Sequence, residues 1–391
     1  MVSFYNKLKI KIFFFALIVL PAVILVSCRN TGASSSQKSI KKSTVSAENQ
    51  YARCFSLEEK EGGYLLSLTD PWREGRVLEQ YWLQEEDQAY KNPEEVITIK
   101  VPVETIVASS TTHAGFMTHL DADDLLMGMN NPERLYDSVL YDRYLSGELL
   151  KMGRDLEYNL EYLISAHPSV ILQTGIDGQF KPDNRLLESG IPVLYILEWM
   201  ESTPLGRAEW IKVFGVLTGR GALADSLFAQ IEDSYLSLCA KVDSNAPRRK
   251  VFTGTDFKGT WYVPGGRNYL ANFFQDAGLE YPWASVDQSA SLALSFEAVY
   301  NQAGDAPLWI GVAVDSISQL LGIEKRYANF RAVQEKQVYT LTHRVNLHGG
   351  NDYWEGGVVR PDQILADLIA IAWPEQLPEH RWNFIKPLIF N

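Results

Sequence analysis

The chain has 391 residues, with 36 Lys and Arg against 48 Asp and Glu, and a formal net charge of −12. That balance argues against a nucleic-acid partner, which calls for a basic face. Three cysteines without a Cys-x-x-Cys pair argue against a structural zinc site.

The N-terminus carries Lys7, Lys9 and Lys11, then an apolar run from Ile12 to Val26 interrupted by Pro21. A membrane-spanning helix needs about 20 apolar residues. The run therefore reads as a cleaved signal, residues 1–27, rather than an anchor. Its end, Leu25-Val26-Ser27-Cys28, resembles the bacterial lipobox. The resemblance implies cleavage before Cys28 and attachment of a diacylglyceryl group to its sulfur. Residues 29–50 hold six serines, four basic residues, one acid and no aromatic. Such a segment cannot bury enough apolar surface to offset chain entropy, so 28–50 is expected to be a disordered, lipid-anchored tether. Loss of the signal removes three lysines and no acid, leaving the remainder more acidic still.

From Tyr51 the length of chain suggests two lobes. Residues 64–68 and 76–83 alternate apolar and polar, which predicts a short accessory hairpin. Ile97–Val101 and Ile106–Ser109 are β-branched runs separated by Pro102. Helix and strand signals alternate from Ala114 to Met127. The spacing of Leu156, Leu160, Leu163 and Ile164 predicts a helix over 156–166, stopped at His167-Pro168. Val170–Leu172 and Pro192–Ile196 are continuous apolar strands, with a helix over 185–189 capped by Gly190 between them. Strands of this kind belong to a parallel sheet covered on both faces.

Leu223, Leu227, Ile231, Tyr235 and Leu238 recur at spacings of three and four, predicting one amphipathic helix of about 20 residues, roughly 30 Å. Alternation then restarts with a strand at Lys250–Gly254, helices over 268–277 and 295–302, strands at Leu308–Val314 and Val338–Leu341, and a helix from Pro361 to Ala372. The expected fold class is α/β: an N-terminal lobe over 51–218, a linker helix within 219–246, and a C-terminal lobe over 247–391. Cys54 and Cys239 are expected as free thiols.

Several stretches resemble the helical-backbone, class III periplasmic binding proteins of iron-siderophore, haem and cobalamin ABC transporters. Ile106-Val107-Ala108-Ser109-Ser110-Thr111-Thr112 is similar to that family's first strand and its Ser/Thr-rich turn. The block from Tyr158 through Asn159-Leu160-Glu161 to Leu172 resembles its NLE-x-I-x-x-L-x-P-D-x-V motif, with Ser169 in place of the usual Asp. Ser189–Val193, Phe214–Gly219 and Ser295–Val299 resemble three further motifs, in the family's order. The resemblance spans about 104–391. It implies two Rossmann-like lobes joined by one long α-helix, a ligand cleft between them, and no enzymatic activity. It also implies that Glu161 and Glu297, each beginning a helix in its own lobe, face arginines of the permease. The hairpin region 51–96 has no counterpart in the short cobalamin-binding member.

The residues themselves show no Gly-x-Ser-x-Gly, Walker loop or His-Glu-x-x-His. His113 and His119 are six apart, so on a helix they do not share a face. Loops following strands are where a cleft ligand is held. These nominate Thr111, Thr112 and His113, with Gly175 and Asp177, from the first lobe. From the second they nominate Trp261, Tyr262 and Arg267, then Arg344, His348, Tyr353 and Trp354. Aromatic faces with arginine suit a large, flat or anionic metal chelate. The expected protein is a periplasmic, lipid-anchored solute-binding monomer without a cofactor. Its partners would be a metal chelate (siderophore, haem or cobalamin), the ABC permease subunits and the membrane through its lipid. An exported hydrolase and a lipoprotein that binds only a partner protein are the readings from other classes.

Overall fold

The structure, a computed structural model, describes residues 49–70, 73, 75–85, 96–155, 157–175, 184–243 and 245–390. The expected signal, Cys28, the tether up to residue 48 and Asp177 lie outside the described residues.

The chain opens with β1 (Phe55–Lys60), β2 (Gly63–Thr69), β3 (Val77–Glu85) and β4 (Ile97–Val101), which form one sheet in that order. The expected hairpin is thus the middle of a four-stranded sheet. Ile97–Val101 pairs with β3 in parallel, so the two runs flanking Pro102 belong to different sheets. Leu66, Leu68, Tyr81 and Leu83 are fully buried on this sheet, and the Tyr81 hydroxyl accepts a hydrogen bond from the Tyr195 backbone N–H at 3.3 Å.

Next come β5 (Ile106–Ala108), α1 (Thr111–His119), β6 (Leu126–Asn130), α2 (Ser138–Ser146), β7 (Leu150–Arg154), β8 (Glu157–Tyr158), α3 (Leu160–Ala166), β9 (Val170–Thr174), α4 (Asn184–Ser189) and β10 (Val193–Ile196). Their sheet runs β10-β9-β5-β6-β7-β8, parallel throughout except for β8. The strand order turns back between β5 and β9, which makes the loops after these two strands the natural ligand position. The helix predicted over 156–166 starts only at Leu160. Asn159 caps it by accepting the Tyr162 N–H, and Glu157–Tyr158 pairs with β7 instead.

The crossing segment contains α5 (Pro204–Glu209), α6 (Ile211–Leu217) and α7 (Gly221–Cys239). Thr203 caps α5 and Pro204 fills its first position. Helix α7 has 19 residues, about 28 Å at 1.5 Å per residue. It buries Ala224, Phe228, Ile231 and Tyr235 along one stripe.

The second lobe holds β11 (Val251–Phe252), β12 (Asp256–Phe257), β13 (Thr260–Pro264), α8 (Tyr269–Asp276), β14 (Ser291–Leu294), α9 (Phe296–Ala303), β15 (Leu308–Val312), α10 (Ile317–Ile323), α11 (Arg331–Gln334), β16 (Val338–Thr340), α12 (Pro361–Ala372) and β17 (Lys386–Pro387). One mixed sheet runs β11-β15-β16-β17, and a separate antiparallel sheet runs β12-β13-β14. Helix α12 packs against α7, tying the linker to the second lobe. Trp261 and Tyr262, expected on a loop following a strand, lie within strand β13 itself.

Two buried carboxylates clamp the start of the described chain. Glu209 accepts the backbone N–H groups of Gln50, Tyr51 and Ala52 at 2.8–3.0 Å and the Lys212 ammonium at 2.8 Å. Glu201 accepts from the Arg53 and Cys54 N–H groups and from the Trp210 indole. Cys54 is buried, Cys239 is half-buried, and both are free. No described helix is long and apolar enough to cross a membrane.

Candidate functional site: the cleft between the lobes

A cleft of about 480 Å³ lies between the lobes. From the first lobe it is lined by Ser110 and Thr112 beyond β5 and by Thr174 at the end of β9. These are the strands at which the sheet order turns. The Thr174 N–H and hydroxyl both meet Ser109 Oγ, at 2.8 and 3.2 Å, which holds the two strand ends together. Its second wall comes from Arg267, Asn268 and Tyr269 at the start of α8, from Ser289–Ser291 leading into β14, and from Trp354. The floor is the crossing segment itself, Glu198–Glu201 and Arg207.

Two exposed indoles line this space, Trp199 from the crossing segment and Trp354 from the second lobe: Trp199 is 41% exposed and Trp354 is 46% exposed. Trp199 is fixed by its N–H donating to the Gly175 carbonyl at 2.9 Å. Arg207 lies over the Tyr269 ring, 4.1 Å from its centre. Glu198 is 1% exposed and Arg207 is 9% exposed. Burial pushes the Glu198 carboxyl above the ordinary carboxylate range, opposed by the Arg207 charge and the Thr112 hydroxyl. Glu201 is pushed up to about 7 by burial, against the pull of its hydrogen-bond donors.

The structure brings together only part of the expected site. Thr112, Arg267 and Trp354 line the cleft, and Thr111 does not. Arg267 is exposed and already pairs with Asp287 at 2.9 Å. Tyr262 and Tyr353 line a smaller apolar cavity of about 180 Å³ that shares Trp354 and Ser291 with the cleft.

Two nominations fall in the core. Trp261 is fully buried among Phe252, Trp309, Tyr327 and Phe330, and its N–H donates to the Thr253 carbonyl. On a strand, alternate side chains face opposite sides, and Trp261 faces inward while Tyr262 faces out. His113 is also fully buried, on α1, and burial pushes its pKa down to about 3.

Arg344 and His348 belong to a third region, where the lobes abut. Arg344 pairs with Asp352 at 2.9 Å and lines a polar cavity of about 210 Å³ with His119, Tyr136, Glu355 and Arg360. The His348 ring stacks on Tyr141 at 4.2 Å. Glu355 accepts the Tyr136 and Asp137 N–H groups at 2.7 and 2.8 Å, bridging the two lobes. The backbones approach so closely here that a side chain at Gly115 or Gly350 would meet a carbonyl oxygen at 2.0 or 2.1 Å. Among the described residues, no group of three or more His, Cys, Asp or Glu side chains is placed to hold a metal ion.

Glu161 and Glu297 are each the second residue of a short helix, α3 and α9, after an Asn or Ser cap. Both are exposed. Glu297 pairs with Arg326 at 2.8 Å, and Arg326 also binds Glu324.

A two-lobed fold with a strand-end cleft and a rigid helix between the lobes defines a solute-binding protein. The periplasmic binding protein family model matches residues 119–345, and the chain belongs to that family. An uncharacterized lipoprotein of Methanocaldococcus jannaschii is 26% identical over 299 residues, 73% of this chain and 69% of that one. The fold is similar to an ABC transporter solute-binding protein from Sulfurospirillum deleyianum, with TM-score 0.54 and 19% identity over 73% of this chain and 88% of that one. It is also similar to the triscatecholate siderophore-binding protein FeuA of Bacillus subtilis, with TM-score 0.53 and 16% identity over 74% and 99% of the two chains. The chain is an extracytoplasmic solute-binding protein of this non-enzymatic family.

Proposed function

We propose that this protein captures an iron-siderophore-type metal chelate and delivers it to its permease. The observation that carries this reading is the cleft lined by two exposed indoles, Trp199 and Trp354, with a buried arginine at its floor. Such surfaces hold a wide, rigid ligand by stacking and by directed hydrogen bonds. The FeuA likeness supports the siderophore form of the reading, and a haem-binding protein of Vibrio cholerae, HutB, shares the fold with TM-score 0.50 and 18% identity. Haem and cobalamin are the alternatives within the class.

A stacked ring contributes about 1–1.5 kcal/mol, close to a factor of ten in affinity. Trp199→Ala and Trp354→Ala are each expected to weaken chelate binding about tenfold in a calorimetric titration with ferric siderophores, haemin and cobalamin. Wild-type affinity in both variants would remove the cleft as the binding site.

Lipid anchoring through Cys28 belongs to the same proposal, supported by the lipobox resemblance and by the lipoprotein name of the archaeal relative. Cys28→Ala is expected to move the protein from the membrane fraction to the soluble fraction. A variant that stays with membranes in high salt would contradict it.

A further inference from the structure

The carboxyl ends of the second lobe's parallel strands open on the smaller cavity. Strands β11, β15 and β16 run parallel, and Thr253, Gly254, Ile310, Gly311 and Leu341, at or just beyond their ends, line that space of about 180 Å³. Ligands of α/β folds sit at such strand ends. The cavity thus holds in the second lobe the place that the cleft holds in the first.

Its lining is hydrocarbon. Phe274, Ile310, Leu341, Ile364, Leu368 and Ile385 all border it, and Tyr262, Tyr353 and Trp354 add aromatic rings. No Asp, Glu, Lys, Arg or His among the described residues lines it, whereas Glu198, Glu201, Arg207 and Arg267 line the cleft. Several backbone carbonyls of the lining residues are taken by side chains. The Trp261 indole donates to Thr253 at 3.0 Å and the Trp309 indole to Gly254 at 2.9 Å. The Tyr281 hydroxyl donates to Pro264 at 2.7 Å, and the Asn351 amide to Leu341 at 3.2 Å. These four acceptors are satisfied within the chain, so a hydrocarbon guest strands none of them.

Cavity and cleft meet at Trp354 and Ser291, which line both. Both residues are exposed, so the boundary is an open rim that one ligand can cross. An apolar cavity of about 150 Å³ holds a benzene. This one therefore suits a phenyl ring or a chain of about six carbons.

Building on the chelate reading above, we propose that the cavity is a second compartment of the binding site and takes a hydrocarbon appendage of the ligand. The cleft holds the metal-bearing body, and the appendage passes over Trp354. The preferred cargo is then a chelate carrying a short acyl chain or an aryl group.

The test titrates the protein with the ferric complex of desferrioxamine B acylated at its terminal amine, as the acetyl or the hexanoyl derivative. The two are alike in charge and differ only in methylene count. Each buried methylene is worth about fourfold in affinity, so the hexanoyl form is expected to bind wild-type protein at least about tenfold more tightly. Leu341→Trp and Ile364→Phe reduce the cavity from two different elements, and each should bring the hexanoyl-to-acetyl ratio to within about threefold of unity. Loss of structure would weaken both forms together, and circular dichroism melts verify the fold of each variant. Benzene, which carries no metal-binding group, probes the cavity apart from any chelate. It should raise the wild-type melting temperature by about 1 °C or more and raise that of both variants less.

A wild-type ratio near unity, a ratio unmoved by both substitutions, or no effect of benzene on wild-type protein overturns the proposal and leaves the chelate reading standing. Binding of none of the ferric siderophores, haemin or cobalamin brings down the chelate reading, and the proposal with it.

Discussion

A chain carrying Glu161→Lys and Glu297→Lys is expected to bind its cargo normally and deliver none of it. Each carboxylate stands at the second position of a capped helix, one in each lobe. Acids there are favoured by the helix dipole, and an exposed carboxylate is suited to a bidentate contact with a partner's arginine. Two such points fix the orientation of the body on a permease. Charge reversal replaces two attractions with two repulsions, and uptake should fall to background. Cleft affinity should stay within about threefold, since exposed rim charges far from a site couple to it weakly. The fold should tolerate both changes, because Arg326 keeps Glu324 when it loses Glu297. Transport assays in a strain lacking the wild-type protein decide the matter. Normal uptake by the double variant would refute docking through these acids.

The largest stability loss is expected at Glu209. Its fully buried carboxylate serves three backbone N–H groups and the Lys212 ammonium, which is itself 5% exposed. Glu209→Ala strands a buried cation and three donors together. Breaking a buried pair from one side costs about 3–5 kcal/mol, and denaturant melts should show a loss of that size. Adding Lys212→Met, which leaves the ring of Phe228 (4.8 Å from the ammonium) in apolar contact, should recover about 1–2 kcal/mol by removing the stranded charge. A single variant within about 1 kcal/mol of wild type would show that the segment finds other partners.

The parallel sheet of the first lobe is legible in the sequence because β5, β10 and the first three residues of β9 are continuous apolar runs, buried on both faces. The linker helix is legible from one unbroken stripe of apolar residues at spacings of three and four. The accessory sheet is only half legible, since β4 pairs with β3 in parallel, a pairing that no hairpin turn specifies.

The site is harder. A tryptophan beside glycines reads equally well as a stacking ring or a core ring, and Trp261 is the second because β13 turns it toward Phe252 and Trp309. Arg267 and Arg344 meet acids that no spacing reveals. Glu198, Trp199 and Arg207 escaped notice because two follow a strand and one lies on a helix face. Only the rule that ligands sit past the carboxyl ends of parallel strands points to the first two.

The clamp on residues 50–54 bears on how the body hangs from whatever precedes it. Glu201 and Glu209 belong to the segment that runs from one lobe to the other, and Glu201 also lines the cleft. A pull on the leading strand therefore enters at the pivot of the molecule rather than at either end. Neither lobe becomes a lever arm, and a force applied at residue 50 has little torque with which to prise the cleft apart. The residues that line the walls of the cleft stay unloaded by such a force.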